Sequence, residues 1–169
     1  MTTTETRADA RQITLTMPRP VTLAAIATAT VPFLIHAWMA LTGYFGHDDF
    51  LITYQAAQHR LPDFGYLFQD YNGHIAPGGF LLVWLVTAIA PLNYVLAVLP
   101  LLVMQAAASV LLWRVLVRTF GSRWTLLLPF AVYTFCPLIL FPTLWWAYGI
   151  QLIPVLLAMF GAIDAHLTY

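Results

Sequence analysis

Two adjacent carboxylates, Asp48 and Asp49, sit in the stretch GYFGHDDFLITYQAAQHR, residues 43–60, directly after a long apolar run. They are two of only seven acidic residues in the chain. Near a membrane surface such groups are poorly hydrated, and each tends to raise the other's pKa unless a cation or hydrogen bonds offset it. A partly desolvated carboxylate can act as a general base or hold a divalent metal. The pair also has a purely structural use. Acidic residues at a helix start accept hydrogen bonds from free N–H groups and meet the positive end of the helix dipole. The residues alone leave both readings open.

A second polar group lies in FQDYNGHIAPGGF, residues 68–80. His74 stands between two turn signals, Tyr71-Asn72-Gly73 and Pro77-Gly78-Gly79. It can donate to a phosphate or a sugar hydroxyl, serve as a metal ligand, or be an ordinary loop histidine. Asp48, Asp49 and His74 match no compact metal motif, and no cofactor is specified. His36 lies inside the first apolar run, where an ionisable group is a functional hypothesis by default. Its plainer use is a neutral side chain bonded to a neighbouring helix. Asp164 and His166 fall near the inner end of the last run and suggest no role.

The elements that position these residues follow from composition. The 169 residues are 61% hydrophobic and 8% charged, whereas a soluble domain carries about 25% charged residues. Too little polar surface remains to coat a water-soluble globule, so the chain reads as an integral membrane protein. Net charge is zero, which leaves no electrostatic footprint for nucleic acid. The single Cys136 excludes an internal disulfide framework. Residues 1–20 are polar and read as a disordered cytoplasmic tail.

A spanning helix needs about 20 apolar residues. Val21–Gly43, Tyr94–Leu116, Trp124–Phe141 and Ile150–His166 qualify or come close. Arg7, Arg11 and Arg19 precede the first and put its start in the cytoplasm. Gly78–Ala90 is about 13 residues, short enough to dip rather than cross. Leaving it outside the count keeps Arg114, Arg118 and Arg123 on the cytoplasmic side. The expected fold is therefore all-α: a polytopic helix bundle of about four spans (21–169), with juxtamembrane helices in a large external loop (44–93). Within that loop a helix over Asp48–Leu61 would turn Phe50, Tyr54, Ala57 and Leu61 down onto the membrane. Asp48, Gln55 and His59 would fall together on another face. PTLWWAYG reads as a short outer loop whose Trp145, Trp146 and Tyr148 suit the headgroup belt. The chain ends at AHLTY, short of the basic stop that usually follows an inward-going helix, and so reads as a fragment or a truncated reading frame.

In order, HDDF at His47–Phe50, GHIAPGGF at Gly73–Phe80 and RTFGSRW at Arg118–Trp124 resemble the GT-C superfamily of membrane glycosyltransferases. That family includes protein O-mannosyltransferases and lipid A aminoarabinose transferases. The resemblance covers roughly Val21 to Tyr148. It implies the amino-terminal part of a transmembrane transferase module in the plasma membrane. It further implies a polyprenyl-phosphate sugar donor, transfer on the outer face, and Asp48 or Asp49 as the base that deprotonates the acceptor hydroxyl. His74, Arg60 and His59 would then bind substrate, with Arg60 the sole external arginine available to the lipid phosphate. The alternative is a non-catalytic membrane accessory or scaffold protein, which suits a second loop without a carboxylate. A transporter would want polar groups in several spans, and only His36 and Gln105 offer them.

Overall fold

The computed structural model describes residues 19–169. The expected tail thus lies outside the described residues except for Arg19 and Pro20, which already belong to the first helix. The described residues form an all-α polytopic bundle. Four helical stretches are long and apolar enough to cross a membrane: 19–41, 94–120, 124–144 and 146–166.

Helix α1 (Arg19–Leu41) has 23 residues, about 35 Å at 1.5 Å per residue. It hands the chain to a loop region of three short helices: α2 (Asp48–Ala57), α3 (Phe64–Leu67) and α4 (Pro77–Ile89). Helix α4 has 13 residues, roughly 20 Å, and falls short of a hydrocarbon core of about 30 Å. Its Gly79 backs onto the Ile150 carbonyl, where a Cβ would approach to 2.9 Å. Helix α5 (Tyr94–Phe120) is the longest at 27 residues. Asn93 caps its start by accepting from the Leu96 N–H at 3.0 Å, and Gly121 ends it at φ 74°, the left-handed stop that glycine adopts freely.

The third crossing is broken. A 3-10 turn at Trp124–Leu126 leads into α6 (Leu127–Thr134), and α7 (Pro137–Leu144) follows. Pro137 has no N–H to donate and disfavours helical backbone in the residue before it. Cys136 accordingly turns extended, at φ −64° and ψ 124°. The Thr134 hydroxyl donates to the Thr28 carbonyl at 3.2 Å and ties the break to α1.

The last crossing, α8 (Trp146–His166), departs from expectation. PTLWWAYG is not a loop. Only Trp145 lies between α7 and α8, at φ −109° and ψ 100°. The two helices meet so closely that a Cβ at Gly149 would run into the Pro142 carbonyl oxygen. Trp146 is not a headgroup-belt residue either. It is 1% exposed, and its indole N–H donates to the Ala97 carbonyl at 3.0 Å.

Helix α2 also differs from the reading of its sequence. It stops at Ala57, and the face packed on the bundle is Asp49, Ile52, Thr53 and Ala56. Phe50, Tyr54 and Leu61 are exposed and form the apolar surface that a membrane interface would cover. The main core gathers where α2, α4, α5 and α8 meet, around Ile52, Phe80, Val83, Val98, Leu101 and Trp146.

One end of the bundle therefore carries the short helices and Asp48, Asp49, Asp63 and Asp70. The other carries Arg19, Arg114, Arg118 and Arg123, with Asp164. These are called the aspartate end and the arginine end below.

Candidate functional site

The two neighbouring carboxylates face different environments. Asp49 is 1% exposed. One oxygen accepts from the Ala147 N–H at 2.7 Å and the other from the Gly46 N–H at 3.0 Å. Ala147 is the second residue of α8, whose N–H has no partner inside its own helix. Asp49 thus caps α8 from across the bundle while sitting in the first turn of α2. Burial pushes its carboxyl above the usual carboxylate range. The N–H groups of Gly46 and Ala147 oppose that shift, the Asp48 charge adds to it, and His47 opposes it. Both oxygens are held by the backbone, so Asp49 acts as a clamp between two helix starts.

His47, just before α2, has φ 47°, a conformation that costs a non-glycine residue energy unless its surroundings impose it. The imposition is visible: Gly46 N–H donates to the Asp49 carboxylate, and Asp49 N–H donates to the Gly46 carbonyl at 2.9 Å. The loop is pinned on both sides of His47.

Asp48 is half-buried and lines a cleft of about 120 Å³ with Tyr71, His74, Trp145, Tyr148 and Gln151. The tight turn predicted from Asn72-Gly73 places Tyr71 and His74. Both central residues have positive φ, 53° and 79°, as a two-residue turn of this kind requires. Tyr71 and His74 exchange two backbone hydrogen bonds of 3.0 Å, and the Asp70 carboxylate accepts from the Gly73 N–H at 2.8 Å. Burial first, and then the neighbouring Asp48 carboxylate, push the Tyr71 phenol well above its ordinary value. An aromatic wall, a carboxylate, an imidazole and an amide line one small opening. Such a set can exchange hydrogen bonds with a small polar ligand, with the carboxylate as a proton acceptor.

His59 and Arg60 are elsewhere. They follow α2 at the end away from Asp48, eleven and twelve residues on, and neither lines the cleft. His59 bonds Asp63 at 3.2 Å and packs on Tyr66 with ring centroids 4.7 Å apart. Its carbonyl accepts from the Trp84 indole at 2.9 Å. Arg60 is exposed. Of the expected grouping of Asp48, Gln55 and His59, only Asp48 and Gln55 lie on α2, because the helix ends before His59. Tyr71, Tyr148 and Gln151 were not singled out from the sequence as parts of a site. Gln151 carried a signal: it is an amide one turn inside an apolar spanning helix, where polar groups are costly. Among the described residues no three His, Cys, Asp or Glu side chains converge as a metal site would need.

No family model, curated protein or solved structure matches the chain.

Proposed function

We propose that the chain carries the amino-terminal module of a membrane glycosyltransferase of the GT-C kind, with the aspartate end on the outer face of the plasma membrane and the amino terminus in the cytoplasm. The observation that supports this most is the shared cleft. Asp48 and His74, twenty-six positions apart, line one opening beside Trp145, Tyr148 and Gln151. In this reading Asp48 takes the proton of an acceptor hydroxyl while that oxygen attacks the anomeric carbon of a polyprenyl-phosphate sugar. The bond from that carbon to the phosphate oxygen breaks, and the lipid phosphate leaves with the electron pair. His74 donates to the phosphate or to a sugar hydroxyl. Asp49 is a positioning residue, since its oxygens are engaged by backbone.

The test uses membranes holding the transferase that contains this module, and a panel of radiolabelled polyprenyl-phosphate hexoses and pentoses. Transfer should fall about 10²-fold or more in Asp48→Asn, the scale of general-base assistance, and should persist in His59→Ala. Absence of transfer from every donor, with folded protein in the membrane, would overturn the reading. Orientation has its own test. With Cys136 replaced, Arg118→Cys should resist an impermeant thiol reagent added to intact cells, and labelling from outside would reverse the bundle.

One observation favours the second reading, a non-catalytic accessory or scaffold protein. Among the described residues no arginine lines the cleft, so His74 is the one lining side chain that could meet the leaving phosphate as a cation. On that reading Asp48→Asn is silent, and Asp49→Asn disrupts assembly with a membrane partner.

A further inference from the structure

At the arginine end, α1 and α5 run antiparallel and do not close on each other. A groove of about 200 Å³ opens between them, walled by α6 through Phe130. Its floor on α1 is cut by two small residues a turn apart, Ala25 and Ala29, and Val110 and Trp113 form the α5 side. Ala29 marks the deep end and Arg114 the mouth, because α5 descends toward its basic end as α1 rises from Arg19. Arg19 precedes the groove-lining Thr22 by three residues, which puts it on the same helical face at the mouth.

The mouth has surplus positive charge. Arg114 Nη2 lies 3.0 Å from one Asp164 oxygen, and Arg118 Nη1 lies 2.8 Å from the other. Arg118 is further engaged, donating to the Asp164 carbonyl at 2.9 Å and the Thr168 hydroxyl at 2.6 Å. One carboxylate therefore serves two guanidiniums. The Arg114 side chain remains 47% exposed, and a guanidinium has five N–H donors. Among the described residues Asp164 is the sole acid at this end, against Arg19, Arg114, Arg118 and Arg123.

We propose that this groove binds one anionic glycerophospholipid of the adjacent leaflet, with an acyl chain between α1 and α5 and the phosphate between Arg19 and Arg114. A chain entering from bilayer gains no hydrophobic free energy, because lipid tails are as apolar as leucine. The groove supplies packing and place, and the headgroup supplies the selectivity. Phosphate suits guanidinium because two parallel N–H bonds match its oxygens. Trp113, its ring centroid 5.1 Å from that of Phe130, gives the groove an aromatic wall. This proposal is independent of the transferase reading.

The experiment is native mass spectrometry of the full chain in detergent with added phosphatidylglycerol or phosphatidylcholine of the same chains. One phosphatidylglycerol should be retained per protein in preference to phosphatidylcholine. Arg19→Gln and Arg114→Gln should each weaken its binding about fivefold, the scale of one arginine near an anionic lipid surface. Ala29→Trp, which fills the groove and keeps both arginines, should bring phosphatidylglycerol down to the phosphatidylcholine level. Leu128→Trp, on the exposed face of α6, should change nothing. Thermal unfolding of each variant separates loss of the fold from loss of the lipid, and Arg19→Gln tests the claim even if Arg114→Gln unfolds. Equal retention of the two lipids would overturn the proposal. So would a preference that survives Ala29→Trp, which means surface charge alone, or a dimer whose formation displaces the lipid.

Discussion

Both ends of the bundle bury an aspartate, and they satisfy it by opposite means. At the aspartate end Asp49 is answered by two backbone N–H groups, at 2.7 and 3.0 Å. At the arginine end Asp164 is answered by two guanidiniums, at 3.0 and 2.8 Å. Backbone donors cannot swing away, so Asp49 fixes the relative position of α2, the His47 loop and α8. Arginine side chains are long and can carry their charge to water or headgroups while their stems stay packed. One end is built to hold a geometry, and the other to tolerate a charged surface. A cleft that must align several groups belongs at the first, and a lipid contact at the second.

The largest expected effect breaks the rigid end. Asp49→Ala removes two charge-assisted bonds, each worth about 1.5–3 kcal/mol, and strands buried donors. Thermal unfolding in detergent should show a loss of roughly 3 kcal/mol or more on that arithmetic, while Asp48→Ala should change little. A change in Asp49→Ala comparable to that in Asp48→Ala would remove the clamp and with it the contrast.

Asp164→Ala should cost less, roughly 1–2 kcal/mol, since Arg114 and Arg118 regain water or headgroups when their partner goes. The same unfolding measurement decides it. A loss as large as that of Asp49→Ala would mean that the arginines are as trapped as the backbone donors, and the two ends would not differ in kind.

The crossing helices were legible because a run of about 20 apolar residues has few other uses, and α4 was legible as too short. The Asn72-Gly73 turn was legible because its conformation is nearly a property of those two residues. The packing was not. Apolar periodicity in α2 turned Phe50, Tyr54 and Leu61 toward the membrane, and they are exposed on the bundle, but the type of an apolar side chain does not by itself say whether protein or lipid covers it, because both are equally apolar. Trp146 posed the same ambiguity, and it went to the core. The split between Asp48 and Asp49 was out of reach, because it depends on Ala147, ninety-eight positions from Asp49.

The next effect sharpens the rigid end through pH. The Tyr66 hydroxyl, 2% exposed, donates to the Phe80 carbonyl at 3.0 Å, and burial pushes the phenol from 10.0 up to about 12. The raised value favours the neutral form in the folded state. Its contribution is fully present below the unfolded value of 10.0 and is lost as pH rises through about 12. Unfolding midpoints should therefore fall across that window in the parent and fall less steeply in Tyr66→Phe. Identical slopes would mean that Tyr66 ionises as freely as in the unfolded chain. At neutral pH the substitution should cost about 1 kcal/mol, one ordinary hydrogen bond.

The smallest effect lies between the ends. Gln105 on α5 bridges His36 on α1 at 3.1 Å and accepts from the Thr143 hydroxyl on α7 at 3.0 Å, all three side chains buried. Three crossings thus share one polar knot, which invites the inference that it holds the bundle together. Physical chemistry argues for less. Polar side chains in an unfolded but inserted chain also find partners, so such bonds average only about 0.6 kcal/mol. Thr143 already has a second acceptor in the Ile139 carbonyl at 2.9 Å, so it is not stranded when Gln105 goes. A double-mutant cycle with His36→Leu and Gln105→Leu, read by unfolding in detergent, should give a coupling near that average. A coupling above the ~1.7 kcal/mol maximum for such pairs would make the knot a third organising centre. The division of labour between a rigid aspartate end and an adaptable arginine end would then be too simple.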